Sequence, residues 1–264
     1  RRPPVEPTAR LLRRFAALHA QDCHPIFLTQ HEVDEYYNKF CSATIWPLFH
    51  YFPQYATYSN TTWSAYEKAN HTFCDEIVKV WQQGDTIWVH DFHLMLLPRL
   101  LRDRLADPTI GFFLHIPFPS FEMFRLLPWR VELLEGLLGA DLLGFHTWDY
   151  AGHFLTSVRF LLGRDSSMGK IVTGDRVAQV DVFPMGIDFE RFASTAKKAE
   201  VTKEVATLDH SFDDRKVILS VDRLDYTKGI LRRLEAFGTF LERHPKYRLK
   251  LTYVLVVVPS RTAV

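Results

Sequence analysis

At 264 residues, with 47% hydrophobic and 24% charged content, the chain has the make-up of an ordinary globular protein, long enough for one large domain or two small ones. Its 32 basic residues nearly balance 31 acidic ones, a net charge of +1, which removes any general electrostatic case for nucleic acid or an anionic membrane surface. The three cysteines, Cys23, Cys41 and Cys74, lack short metal-type spacing, no apolar run approaches the roughly 20 residues that cross a bilayer, and no signal-peptide core follows Arg1-Arg2-Pro3-Pro4, so the expectation is a soluble cytoplasmic protein with reduced thiols.

In chain order, Leu11, Leu12, Phe15 and Leu18 mark a first amphipathic helix, and Ile26-Phe27-Leu28 a short strand after it. Tyr36-Tyr37-Asn38 and Ile45-Trp46-Pro47-Leu48-Phe49-His50-Tyr51 form an aromatic patch that suits sugar faces or a core. The core reading is favoured for most of these rings, because large aromatics mainly bury area. Thr86 to His90 then reads as a buried strand, Leu94 to Leu105 as a helix and Gly111 to His115 as a strand. Phe121 to Leu138 is helix-patterned, Leu142 to Phe145 strand, Ala151 to Leu162 helix and Val177 to Pro184 strand. This alternation predicts an α/β fold, a parallel sheet with helices on both faces. Residues 193 to 215 turn polar and charged, which predicts a domain over 1–195, a linker over 196–215 and a second domain from 216 to 264. That second domain offers strand 217–221, a helix with Leu231, Leu234, Phe237 and Leu241 on one face, and strand Leu251 to Val257. One βαβ unit has too few strands to bury its own faces, so the expectation is a piece of a longer protein.

Ligands of parallel sheets bind beyond the carboxyl ends of the strands. Three polar segments fall there. His90-Asp91-Phe92-His93 has the residue types of a zinc site, but His90 and Asp91 point to opposite faces of an extended segment and His93 opens the next helix. A carboxylate that orients a hydroxyl-rich ligand is the favoured reading of Asp91. His115, in His115-Ile116-Pro117-Phe118-Pro119, sits on an exit loop stiffened by two prolines, where a lone histidine is more often structural than catalytic. The third segment, Asp222-Arg223-Leu224-Asp225-Tyr226-Thr227-Lys228-Gly229, puts Arg223 and Lys228 where a strand hands over to a helix. A helix start leaves N–H groups and partial positive charge exposed, and a planar guanidinium with a mobile ammonium completes a clamp for a diphosphate. A surface salt-bridge cluster, with Asp222 and Asp225 pairing Arg223 and Lys228 and Thr227 capping the helix, is the competing reading.

Together, Tyr37-Asn38, Trp46 to Tyr51, Trp88 to Leu94, Phe113 to Pro119 and Arg223 to Gly229 occur in an order that resembles the trehalose-6-phosphate synthases. The resemblance runs from about Phe27 to Arg261. It implies the GT-B architecture, two Rossmann-like domains with parallel sheets, of which the second is represented here only by its first βαβ unit. It implies a retaining hexosyltransferase that moves glucose from UDP-glucose to glucose 6-phosphate without metal or cofactor and without a protein nucleophile. Residue by residue, Arg223 and Lys228 match the pair that holds the donor diphosphate, and His115 the histidine near the donor glucose. Asp91 matches the acceptor-region carboxylate, and Tyr37, Trp46 and Arg261 match residues around the acceptor phosphate. The implied partners are those two small molecules, with no nucleic acid and no membrane, and a homo-oligomer stays open.

A glucosylglycerol-phosphate synthase would share the clamp and differ at the acceptor. A silent regulatory subunit that binds a sugar phosphate is the non-enzymatic rival. The donor's base, uracil, guanine or adenine, is not readable here. The family's amino-terminal glycine loop and acceptor-phosphate arginine would precede Arg1, and its ribose-gripping acidic residues would follow Val264. Residues 1–264 alone are therefore expected to be a poor or inactive enzyme, which an assay of trehalose 6-phosphate formation by that purified segment checks; turnover at full rate would contradict it.

Overall fold

The computed structural model describes residues 23–212 and 215–259; the helix expected around Leu11 to Leu18 lies outside the described residues. The chain divides into two compact units, Arg1–Pro184 and Met185–Val264. The division falls before the polar stretch that the sequence reading took as a linker.

In the first unit, β1 (Thr86–His90), β2 (Thr109–Phe113), β3 (Leu142–Phe145) and β6 (Arg176–Val182) are parallel neighbours. An antiparallel flap, β5 (Lys170–Thr173) and β4 (Ser166–Ser167), extends the sheet beyond β6 in the order β1-β2-β3-β6-β5-β4. The flap was not anticipated from the sequence. Its signals are short: Met168-Gly169 and Gly174, at φ 50°, 75° and 67°, take the left-handed backbone that hairpin turns require. β1 is an edge strand among the described residues, with Trp88 66% exposed, rather than the buried strand expected. Residues 23 to 29 form no strand.

Helices pack against the sheet. The largest, α1 (Asn60–Val80), was also not anticipated. Ser59 caps it by accepting the Thr61 N–H, and Trp63, Tyr66, Asn70 and Cys74 recur at helical spacing on its buried face. Before it, residues Val33–Ile45 wind as a π-helix, in which the Ser42 hydroxyl donates to the Tyr37 carbonyl five residues back. α2 (Leu97–Arg104) is shorter than expected because a 3₁₀ turn, Phe92–Leu94, precedes it. The single helix expected over 121–138 is two, Phe121–Phe124 and α3 (Arg130–Leu137), since Pro128 can neither donate nor accommodate the preceding turn. α4 (Trp148–Leu162) begins at its Thr147 cap and ends on left-handed Gly163. At the amino ends of the strands Asp141 accepts from Arg102 (2.7 Å), Arg176 (3.0 Å) and the Ile110 N–H (2.8 Å), which ties β2, β3, β6 and α2 together.

The second unit contains α5 (Phe189–Thr195), α6 (Ala199–Phe212), β7 (Lys216–Arg223), α7 (Ile230–Arg243) and β8 (Leu251–Val258). β7 and β8 pair in parallel from Lys216↔Leu251 to Arg223↔Val258, the βαβ unit expected. Val217, Ile218, Leu219, Leu231 and Leu234 are exposed, because two strands and a helix cannot enclose both sheet faces. Among the described residues no helix is long and apolar enough to cross a membrane.

Gly139 lets the loop after α3 touch the backbone of α2, and a Cβ there would overlap Pro98 and Arg99 main-chain atoms. Gly139→Ala is expected to lower folding stability by about 2 kcal/mol or more, read from denaturant unfolding.

Candidate active site

Parallel register brings the carboxyl ends of β1, β2 and β3 to one edge, so the residues that follow them share a ledge. Asp91 follows β1 directly. Its N–H donates to the Phe113 carbonyl (2.8 Å), its Oδ1 accepts the His115 N–H (3.1 Å), and its backbone turns through φ 73°, ψ 170°. Few residues other than glycine adopt such a conformation.

The side chains around it form a connected group. His90 Nδ1 and His115 Nε2 lie 2.9 Å apart, one donating to the other, and the His146 ring after β3 is 6.0 Å from that of His115. His93 Nδ1 lies 3.9 Å from Asp91 Oδ2, and Tyr37 stacks on His93 at 5.2 Å with planes 10° apart. The fold thus gathers Tyr37, Asp91 and His115 of the sequence-derived set. Trp46 differs: it is only 6% exposed, its ring 4.0 Å from His50 and 5.9 Å from Phe92, a wall behind the ledge. The exit loop of His115 is held by Phe118, buried among the Phe49, Phe124, Phe145 and Phe154 rings, as the proline pair foreshadowed. Among the described residues no three histidine, cysteine or acidic side chains could together hold a metal ion.

His115 is displaced below its ordinary pKa of 6.5, chiefly because burial penalises the imidazolium; Asp91 opposes this, while His90 and His146 reinforce it. His146 was missed from the sequence, although its place one residue beyond an apolar strand matches that of the residues that were found.

In the second unit Arg223 closes β7, and Lys228 ends the 3₁₀ turn Tyr226–Lys228; both are exposed. The capping part of the salt-bridge reading needs correction. Asp222 accepts from Arg233 of α7 (2.7 Å), and Asp225 Oδ1 accepts the Thr227 N–H (2.9 Å) and hydroxyl (2.8 Å), so Asp225 rather than Thr227 is the cap. Left-handed Gly229 (φ 62°) then starts α7 without a side-chain cap. Arg261 lies outside the described residues.

Parallel α/β units with polar groups beyond their strand ends are shared by many enzyme classes, and the comparisons place this chain among the glycosyltransferases. The model of glycosyltransferase family 20 matches residues 9–264, and the chain belongs to that family. An alpha,alpha-trehalose-phosphate synthase [UDP-forming] from Pichia angusta is 48% identical over 246 residues, covering 91% of this chain and 52% of that protein. A solved alpha,alpha-trehalose-phosphate synthase (UDP-forming) from Burkholderia xenovorans in complex with glucose-6-phosphate superposes with TM-score 0.83 at 34% identity, over 89% of this chain and 52% of that one. The E. coli trehalose-6-phosphate structure bound with UDP-2-fluoro glucose gives TM-score 0.85 at 31% identity, over 99% and 64%. The chain spans about half the length of such relatives.

A histidine whose pKa is lowered on folding contributes stability that is complete above 6.5 and lost as pH falls below it, because the unfolded chain takes up the proton first. His115→Gln is expected to flatten that acid-side loss in unfolding measured against pH. In NMR titration the His115 ring should titrate below 6.5, and lower still in Asp91→Asn, where the one opposing charge is gone.

Proposed function

We propose that the protein is a retaining glucosyltransferase that moves glucose from UDP-glucose to glucose 6-phosphate, giving trehalose 6-phosphate and UDP. The observation that carries this reading is the ledge that joins Asp91, His115 and Tyr37 in a family 20 chain. The relative from Pichia angusta bears the synthase name, and the two solved relatives hold glucose-6-phosphate and UDP-2-fluoro glucose.

In the proposed reaction an acceptor hydroxyl oxygen bonds to the anomeric carbon as the bond to the UDP oxygen breaks, on the same face. The hydroxyl proton passes to the departing phosphate. Asp91 orients the acceptor's hydroxyls, and its short link to the His115 N–H keeps it aimed. His115, neutral near pH 7, meets a donor-sugar hydroxyl without adding charge. Tyr37, 39% exposed on the His93 ring, offers a face and a hydroxyl toward the acceptor phosphate, with Trp46 behind and Arg261 as a further contact. Arg223 and Lys228 meet the charge that grows on the leaving diphosphate. Cations in that role make a metal or other cofactor unnecessary, so turnover should persist in chelator. A cytoplasmic location goes with these substrates.

Calorimetric titration of the full-length protein with UDP, GDP and ADP is expected to favour UDP, and Arg223→Ala to weaken it by about 10- to 100-fold, the size of a lost charge-assisted contact. Undiminished affinity would remove the clamp assignment, and product from glycerol 3-phosphate instead of glucose 6-phosphate would replace the acceptor.

A further inference from the structure

The turn from Asp91 to Met95 carries an unfavourable backbone with no glycine to relieve it, and such geometry persists only where the surroundings over-determine it. Three side chains from outside the sheet do so. Tyr66, fully buried on α1, donates its hydroxyl to the Phe92 carbonyl (3.0 Å) and accepts the Met95 N–H (2.9 Å). One helical turn on, Asn70 donates to the His93 carbonyl (3.2 Å) as well as to the Tyr66 carbonyl (2.9 Å), and Tyr36 donates to the same His93 carbonyl (3.1 Å). Burial pushes both phenols well above their ordinary value of 10, so each proton stays committed to its carbonyl. Phenylalanine would fill the same aromatic cluster, where the Tyr66 ring lies 4.4 Å from Phe40 and 5.7 Å from Trp63. The hydroxyl therefore serves the turn rather than the packing.

We propose that Tyr66 is a positioning residue for Asp91: from the buried face of α1 it clamps both ends of the turn behind that carboxylate and so fixes the acceptor's seat. The proposal rests on the reading of Asp91 as the acceptor-binding carboxylate. Tyr66→Phe keeps the ring and strips the Phe92 carbonyl and the Met95 N–H of their partner in a dry environment, which leaves the Asp91 backbone free to relax.

The test uses the full-length protein. In Tyr66→Phe, kcat/KM for glucose 6-phosphate is expected to fall about tenfold or more, the cost of a misplaced orienting group. UDP affinity by calorimetry should stay within about twofold, as expected where the nucleotide is held by residues of the second unit that share no partner with Tyr66. Asp91 Cα and Cβ shifts should move, and amides 92–95 should exchange faster with solvent. Val158→Ala, a cavity variant in the buried face of α4, should lower stability and leave all of these unchanged. Tyr66→Phe that behaves like Val158→Ala, losing stability alone, overturns the proposal. Unimpaired turnover in Asp91→Asn would instead overturn the acceptor reading on which it rests.

Discussion

Everything at the strand ends hangs on one residue that reaches its neighbour twice. Asp91 continues the β1–β2 ladder through its N–H to Phe113, and its carboxylate takes the next available N–H on that chain, at His115. Satisfying both from one residue requires the main chain to swing away from the strand at once, which is what φ 73° accomplishes. The bond from the neighbouring strand to the carboxylate helps hold such an unfavourable conformation in place. With both strand ends pinned, the His90 and His115 rings are held against each other and the chain drops directly into the turn that presents His93 to Tyr37.

The same crowding sets the electrostatics. Burial penalises the His115 imidazolium, and the His90 and His146 rings, 5.2 and 6.0 Å away, add to that penalty. On the proposed function this is useful: a neutral ring can orient a sugar hydroxyl without adding charge.

Local patterns carried most of the sheet. β2, β3, β7 and β8 are short apolar runs bounded by turn residues, and the sequence reading located each of them. α1 escaped because its buried face mixes Trp63, Tyr66, Asn70 and Cys74, so periodicity counted on aliphatic residues does not register it. The flap β4–β5 escaped because strands of two and four residues leave little alternation to read. Asp91, His115 and Tyr37 were legible as motif residues, but not the left-handed backbone at Asp91, the ring-to-ring hydrogen bond or the support from Tyr66 and Asn70. Those depend on partners 23 to 29 residues away, which no local pattern encodes.

The acidic residues inside the clamp motif also shape the turn. A carboxylate next to Arg223 and another near Lys228 would ordinarily lower the local potential, yet each has structural work. Asp222 is tied to Arg233, which joins the end of β7 to α7, and Asp225 closes the 3₁₀ turn through Thr227. Gly229 then lets the helix begin with no side chain across its first N–H groups, so the partial positive charge of the helix start adds to the field of Arg223 and Lys228. On the proposed function, the field of the two cations and the helix start lies where the reaction places its growing negative charge.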